Sequence, residues 1–265
     1  MMNFEDYETF KFERNGRILT ATINRPDHMN AINATMHREM ASVFYDLQLD
    51  PDSDVIVLTG AGRAFCAGGD TDWFQQMIDT PIMFERLLPE AKAIVFGLLE
   101  LEKPIICRLN GAAAGLGATI ALMSDIVIAS DKAMIGDPHV CMGLVAGDGG
   151  CVIWPQLIGF NKAKELLMLG DMLKAAEADK YGLLNHLVPA AELDAKTDEI
   201  AGRLVAGATK AIRFTKITAN IPLRKIAAEL MDASLPYEAL TNISNDHQEA
   251  VNAFNAKRAA VFTGT

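Results

Sequence analysis

Two apolar runs, each opening into a stretch of small residues, set the terms for this chain. Residues 55–58 lead into Gly60-Ala61-Gly62-Arg63-Ala64-Phe65-Cys66-Ala67-Gly68-Gly69-Asp70, and residues 105–109 lead into Asn110-Gly111-Ala112-Ala113-Ala114-Gly115-Leu116-Gly117. A short apolar run of this kind reads as a strand buried on both faces, the type found in parallel sheets. The segment beyond its carboxyl end is where α/β folds place ligands. Residues with little side chain let a ligand reach the main chain, whose N–H groups then serve as donors. The pair predicts an anion site built from backbone.

The rest of the chain supplies an α/β setting for it. Phe10 and Phe12, an Asn15-Gly16 turn, and Leu19, Ala21 and Ile23 alternate as two paired strands. Met36, Met40, Val43 and Leu47 recur at helical spacing before Pro51, and Phe84, Leu87, Leu88, Ala91, Val95 and Leu98 do so before Pro104. Both predicted helices lead into strands that carry the small-residue stretches. A third buried strand covers 126–129, followed by Gly136-Asp137-Pro138-His139 and Gly147-Asp148-Gly149-Gly150. Strand, helix and strand units repeat, the mark of an α/β core. From about residue 161 the sequence is helical in character, with only 185–188 resembling a strand; 231–262 reads as one helix or two, with Pro236 as the interruption. Residues 1–190 therefore read as the core with the active site and 191–265 as a helical region of the same domain, which folds back on this core or packs on another subunit.

Net charge narrows the partners. The chain carries 24 Lys and Arg against 34 Asp and Glu, a formal charge of -10 over 265 residues. Such a surface repels nucleic acid and anionic membrane. The opening stretch 1–14 is charged throughout and no apolar run is long enough to span a bilayer, so the expectation is a cytoplasmic protein. Cys66, Cys107, Cys141 and Cys151 stand singly among small or apolar neighbours and read as reduced core thiols. His28, His186 and His247 show no metal spacing, and no metal or redox cofactor is expected. Neither small-residue stretch contains G-x-G-x-x-G or G-x-x-x-x-G-K-[ST], which argues against a dinucleotide or a triphosphate.

The stretch 64–70 with Asn110-Gly111 and Gly115-Leu116-Gly117 resembles the enoyl-CoA hydratase/isomerase, or crotonase, family. Asn24-Arg25-Pro26, Asn30-Ala31-Ile32-Asn33, Gly182-Leu183-Leu184-Asn185, Val188-Pro189, and Phe254 with Lys257-Arg258 are similar to its other marks, in the family's order. The resemblance implies a crotonase-like spiral of ββα units with a C-terminal helical trimerisation region, a homotrimer or dimer of trimers, and an acyl-CoA substrate in which coenzyme A is part of the substrate and no further cofactor is needed. It also implies that the N–H groups of Gly69 and Leu116 bind the thioester oxygen. That assignment is chemically apt: removing an α-proton, or adding water at the β-carbon, places negative charge on this oxygen, and two fixed donors stabilise the enolate more than the ground-state carbonyl.

The acid/base positions depart from the family's pattern. Hydratases of the family place glutamates where this chain has Thr119 and His139. Threonine is no base at neutral pH, whereas histidine is, so His139 becomes the expected base. Asp148 is its expected partner, orienting His139 or a water; the alternative is that it caps the helix beginning near Val152. The run Pro138-His139, Gly143-Leu144-Val145, Gly147-Asp148-Gly149 and Trp154-Pro155 resembles the β-diketone hydrolase branch of the family, and His37 matches a histidine of that branch. Arg25, Ala31, Ala67, Gly68, Asp70, Trp73, Thr119, Phe254 and Lys257 are the expected substrate-binding residues; Asp70 also suits a helix cap, and Trp73, Phe74 and Met77 suit either core or acyl pocket. Three functions are compatible with this set. The first is water addition to an acyl-CoA, either enoyl hydration or cleavage of a β-keto carbon–carbon bond. The second is hydrolysis of a CoA-free cyclic β-diketone, and the third a catalytically silent acyl-CoA binder.

Overall fold

The computed structural model describes residues 4–265, so the first three residues of the charged opening stretch lie outside the described residues. Strands β1 (Phe10–Asn15) and β2 (Ile18–Ile23) form the expected hairpin. Asn15 stands opposite Ile18, which makes Gly16 and Arg17 the turn residues, one position later than expected. Glycine takes the left-handed conformation that the first turn position requires (φ 58°). Helix α1 (Ala34–Leu49) starts at Asn33, whose side chain accepts from the Met36 N–H at 3.0 Å, and ends before Pro51.

From β3 (Val55–Gly60) onward the chain winds in ββα turns. β3 is followed by β4 (Ala64–Cys66), α2 (Thr71–Asp79) and α3 (Ile82–Glu100); β5 (Ile105–Leu109) by β6 (Ala112–Ala114) and α4 (Leu116–Met123); β7 (Ile126–Ser130) by β8 (Met134–Gly136) and α5 (Gly150–Leu169). The first strand of each turn joins a six-stranded sheet of order β1-β2-β3-β5-β7-β10, parallel from β2 onward. The second joins a four-stranded sheet of order β4-β6-β8-β9. The small-residue stretches are thus loops only in part, because each passes through a short strand of the second sheet before reaching its helix. Alanine-rich strands of three residues carry no apolar run or alternation, which is why the sequence shows them as loops.

The remainder is β9 (Met172–Lys174), α6 (Ala175–Lys180), β10 (His186–Val188), α7 (Leu193–Val205), α8 (Thr209–Asn242) and α9 (Asn245–Asn255). Helix α8 continues through Pro222 and Pro236. The break falls instead at Ser244, whose hydroxyl accepts from the His247 N–H and caps α9. The tail packs on its own core: Ala227, Met231 and Leu235 of α8 join the main cluster with Ile94, Val95 and Leu98 of α3. On the other face of the six-stranded sheet, Leu193, Ile200 and Ala201 of α7 cover Val55, Val57, Ile106 and Ile128. No described helix is long and apolar enough to cross a membrane.

Candidate active site

A cavity of about 400 Å³ opens at the carboxyl ends of β4, β6 and β8. One wall is main chain. Ile32 runs alongside Gly69: its N–H donates to the Gly68 carbonyl at 2.7 Å and its carbonyl accepts from the Asp70 N–H at 2.9 Å, passing over the Gly69 N–H between them. A side chain on Gly69 would put Cβ 2.1 Å from the Phe74 ring, so the wall closes only with glycine. Leu116 is the first residue of α4, where an N–H has no carbonyl behind it in the helix. The turn into α4 needs Gly115 at φ 54°. Among the described residues neither the Gly69 nor the Leu116 N–H has an acceptor, and both residues line the cavity.

The facing wall is a buried charge cluster. His139 follows β8 in a turn of 3-10 helix, and its ring leans on the Gly115 turn, with Cε1 3.1 Å from where a Cβ there would sit. Its Nδ1 is bonded to Asp137 Oδ1, and its Nε2 lies 3.3 Å from Asp148 Oδ2 and 3.9 Å from Glu238 Oε1. All three acids are buried, and Asp137 Oδ2, Asp148 Oδ1 and Glu238 Oε2 have no hydrogen-bond partner among the described residues. The Asp148 loop is fastened to α8, since Ser234 Oγ donates to the Gly147 carbonyl at 2.7 Å. A Cβ on Gly147 would strike Ser234 and Glu238.

The cluster's protons follow from its charges. Burial pushes the His139 imidazole down, but the carboxylates of Asp137 and Asp148 outweigh it and hold the ring well above its ordinary value. Burial, reinforced by the negative charge of Asp148, pushes Glu238 well above the usual carboxylate range. Both shifts thus favour the protonated form of the group. His139 sits between the carboxylates of Asp137 and Asp148, which favour its protonated form. His139, Asp148 and Glu238 also bring one donor atom each within 4.8 Å of one another, a set able to hold a divalent cation.

The expected site residues divide cleanly. Ala67, Gly68, Gly69, Trp73, Leu116, His139, Asp148 and Phe254 all line the cavity. Arg25, Ala31, Asp70, Thr119 and Lys257 lie off it. Arg25 bonds the Ala31 carbonyl and pairs with Asp70 at 3.2 Å, while Asp70 caps α2 by accepting from the Asp72 N–H at 3.1 Å. Thr119 is fully buried under Gly149, its hydroxyl without a partner. Arg258 reaches the cavity, but a bidentate pair with Glu249 holds it. Asp148 is not a cap: Gly149 precedes α5, and no side chain caps that helix. Cys66 and Cys107 are buried, and burial lifts the Cys66 thiol to about 12. Cys141 is exposed, against expectation, because its 3-10 turn runs along the cavity edge. Sequence reasoning missed Asp137 and Glu238; Asp137 stood two residues before the histidine, a spacing that could have flagged it.

The enoyl-CoA hydratase/isomerase family model matches residues 13–265. The chain belongs to this family. It is 34% identical over 252 residues to 1,2-epoxyphenylacetyl-CoA isomerase of Escherichia coli (strain K12), covering 93% of this chain and 95% of that one. The crystal structure of an enoyl-CoA hydratase/isomerase from Mycobacterium paratuberculosis superposes with a TM-score of 0.89 at 32% identity, covering 93% and 99% of the two chains. A β-diketone hydrolase from the cyanobacterium Anabaena sp. PCC 7120, bound to (S)-3-oxocyclohexyl acetic acid, superposes with a TM-score of 0.84 at 29% identity over 91% and 96%. The two sheets and the C-terminal helices are thus the crotonase fold, and the chain is an enzyme of this family.

Proposed function

We propose that this enzyme adds water to an acyl-CoA thioester through an enolate. The observation that carries the reading is the pair of acceptor-free N–H groups, on Gly69 and Leu116, opening onto the same cavity as the buried acids around His139. The thioester oxygen accepts from both N–H groups, and the first turn of α4 adds its partial positive charge. Asp148 takes a proton from water as the water oxygen bonds to the β-carbon, the electron pair moves to the thioester oxygen, and Glu238 returns its proton to the α-carbon. Asp148 then carries the proton that Glu238 has lost, and exchange across His139 restores the start. The two acids thus divide the acid and base work, with Glu238 the one whose burial favours the protonated form. With a β-keto thioester the same groups add water to the keto carbonyl and protonate the enolate released when the carbon–carbon bond breaks.

Coenzyme A enters as part of the substrate, and the chemistry draws otherwise on this chain's own groups. Phe160, Met168 and Leu169 of α5 and Phe214, Tyr237 and Leu240 of α8 are exposed apolar side chains, compatible with the homotrimer or dimer of trimers that the family resemblance implies. The likeness to the β-diketone hydrolase supports a second reading, the cleavage of a CoA-free cyclic β-diketone by the same cluster. Incubation with enoyl-CoA, β-ketoacyl-CoA and cyclic diketones, read by mass spectrometry, separates these: a gain of one water on a thioester supports the first reading, and turnover of the diketone alone overturns it in favour of the second.

A further inference from the structure

The remaining wall of the cavity is apolar, built from side chains such as Met77, Phe84, Leu87 and Leu88 of α2 and α3. Among the polar groups that line the cavity, two stand together. His37 of α1 is 5% exposed and Trp73 of α2 is 6% exposed; both line the cavity, and their rings lie 5.4 Å apart. His37 Nδ1 is 2.8 Å from Glu90 Oε2. A carboxylate can only accept, so Nδ1 carries the hydrogen, and in the tautomer this bond selects Nε2 is the acceptor. The Trp73 indole N–H, a donor only, has no acceptor among the described residues. An unpaired buried donor is unfavourable, and a plain hydrocarbon chain would leave it so.

We propose that His37 and Trp73 form a second polar subsite in the acyl cavity that takes a hydroxyl group carried by the acyl chain. A hydroxyl matches both partners at once: its oxygen accepts from Trp73 Nε1–H while its hydrogen is donated to His37 Nε2. A carbonyl satisfies Trp73 but gives nothing to the His37 nitrogen, and a methyl satisfies neither. Glu90 is the positioning residue that fixes the ring and its tautomer. The subsite rests on the reading of the substrate as an acyl-CoA thioester.

The test is calorimetric titration with saturated, unreactive acyl-CoA thioesters of equal length that end in a methyl, a carbonyl or a hydroxyl group, taken through a short-chain series. The hydroxylated thioester should bind ~10- to 100-fold more tightly than the methyl one at its best length, with the carbonyl between them. Trp73→Phe keeps the ring and removes the donor, and His37→Phe removes the acceptor; each should collapse the hydroxyl-to-methyl ratio toward one. The wild-type comparison decides the matter even if a variant fails to fold. Equal binding of the methyl and hydroxyl thioesters, or tighter binding of the carbonyl, overturns the subsite and leaves the thioester reading intact. Failure of every thioester to bind overturns both.

Discussion

The two walls of the cavity do related work with opposite materials. The wall proposed to bind the thioester oxygen, the oxyanion wall, is main chain, delivered by a glycine bridged to Ile32 and by the first residue of α4. The charged wall is side chain, assembled from the 3-10 turn at His139, the loop before α5 and helix α8. A backbone donor depends on local conformation and tolerates changes of side chain. A buried cluster of three acids and one histidine depends on every member, because removing one leaves another charge or proton without its counterpart. The small-residue marks of the family lie in the first wall, and in the mechanism proposed above the second wall selects the reaction.

The charged wall is most exposed to substitution at Asp148. Asp148→Asn should lower kcat by between ~10²- and ~10⁴-fold on the true substrate while the protein remains folded by circular dichroism; an unchanged rate would remove Asp148 from proton transfer. On the opposite wall, Leu116→Pro deletes one N–H at the first helical position, where proline is tolerated. It should cost ~10²- to 10³-fold in kcat, and Leu116→Ala, which retains the N–H, should cost far less. If the two variants lose activity equally, the side chain rather than the donor matters.

Smaller effects separate the walls further. His139 and Glu238 have raised folded-state values, so the native protein holds protons that the unfolded chain releases, and their contribution to stability is lost as pH rises through those values. Chemical denaturation of the wild type should show stability falling from mildly acidic to alkaline pH, by up to about 1.4 kcal/mol per pH unit per proton. Glu238→Gln cannot ionise and should flatten that slope; an identical slope would mean that Glu238 holds no extra proton. The smallest effect belongs to Thr119→Val, which removes a buried hydroxyl without a partner and lies off the cavity. Stability should rise by up to about 1 kcal/mol with kcat unaltered; a fall in kcat would return position 119 to the chemistry.

The two walls were also unequally legible. The two small-residue stretches stand out because a donor wall needs small neighbours over several consecutive residues, a local signal, whereas Gly69 and Leu116 within them are marked only by the family resemblance. The buried strands and the helices before them show through apolar spacing for the same reason. Glu238 left no such trace: it sits ninety residues beyond Asp148, and an acid within a long helix reads as a solvated face until the packing of α8 is known. The Asp148 cap was plausible from its neighbours, yet Gly149 takes a left-handed conformation (φ 111°) that turns the carboxylate's segment toward His139 instead. Strands β4, β6 and β9, three residues each, are too short to carry a period.

Ser234 and Glu238 are four residues apart on α8, so one stripe of that helix both fastens the Asp148 loop and supplies the acid. A helix turns by about 100° per residue. A single-residue insertion or deletion anywhere in α8 before Ser234 would swing fastening and acid out of the cavity together, while the oxyanion wall stayed whole. Among relatives, the number of residues in this helix, more than the identity of any one of them, would then mark where one chemistry gives way to another.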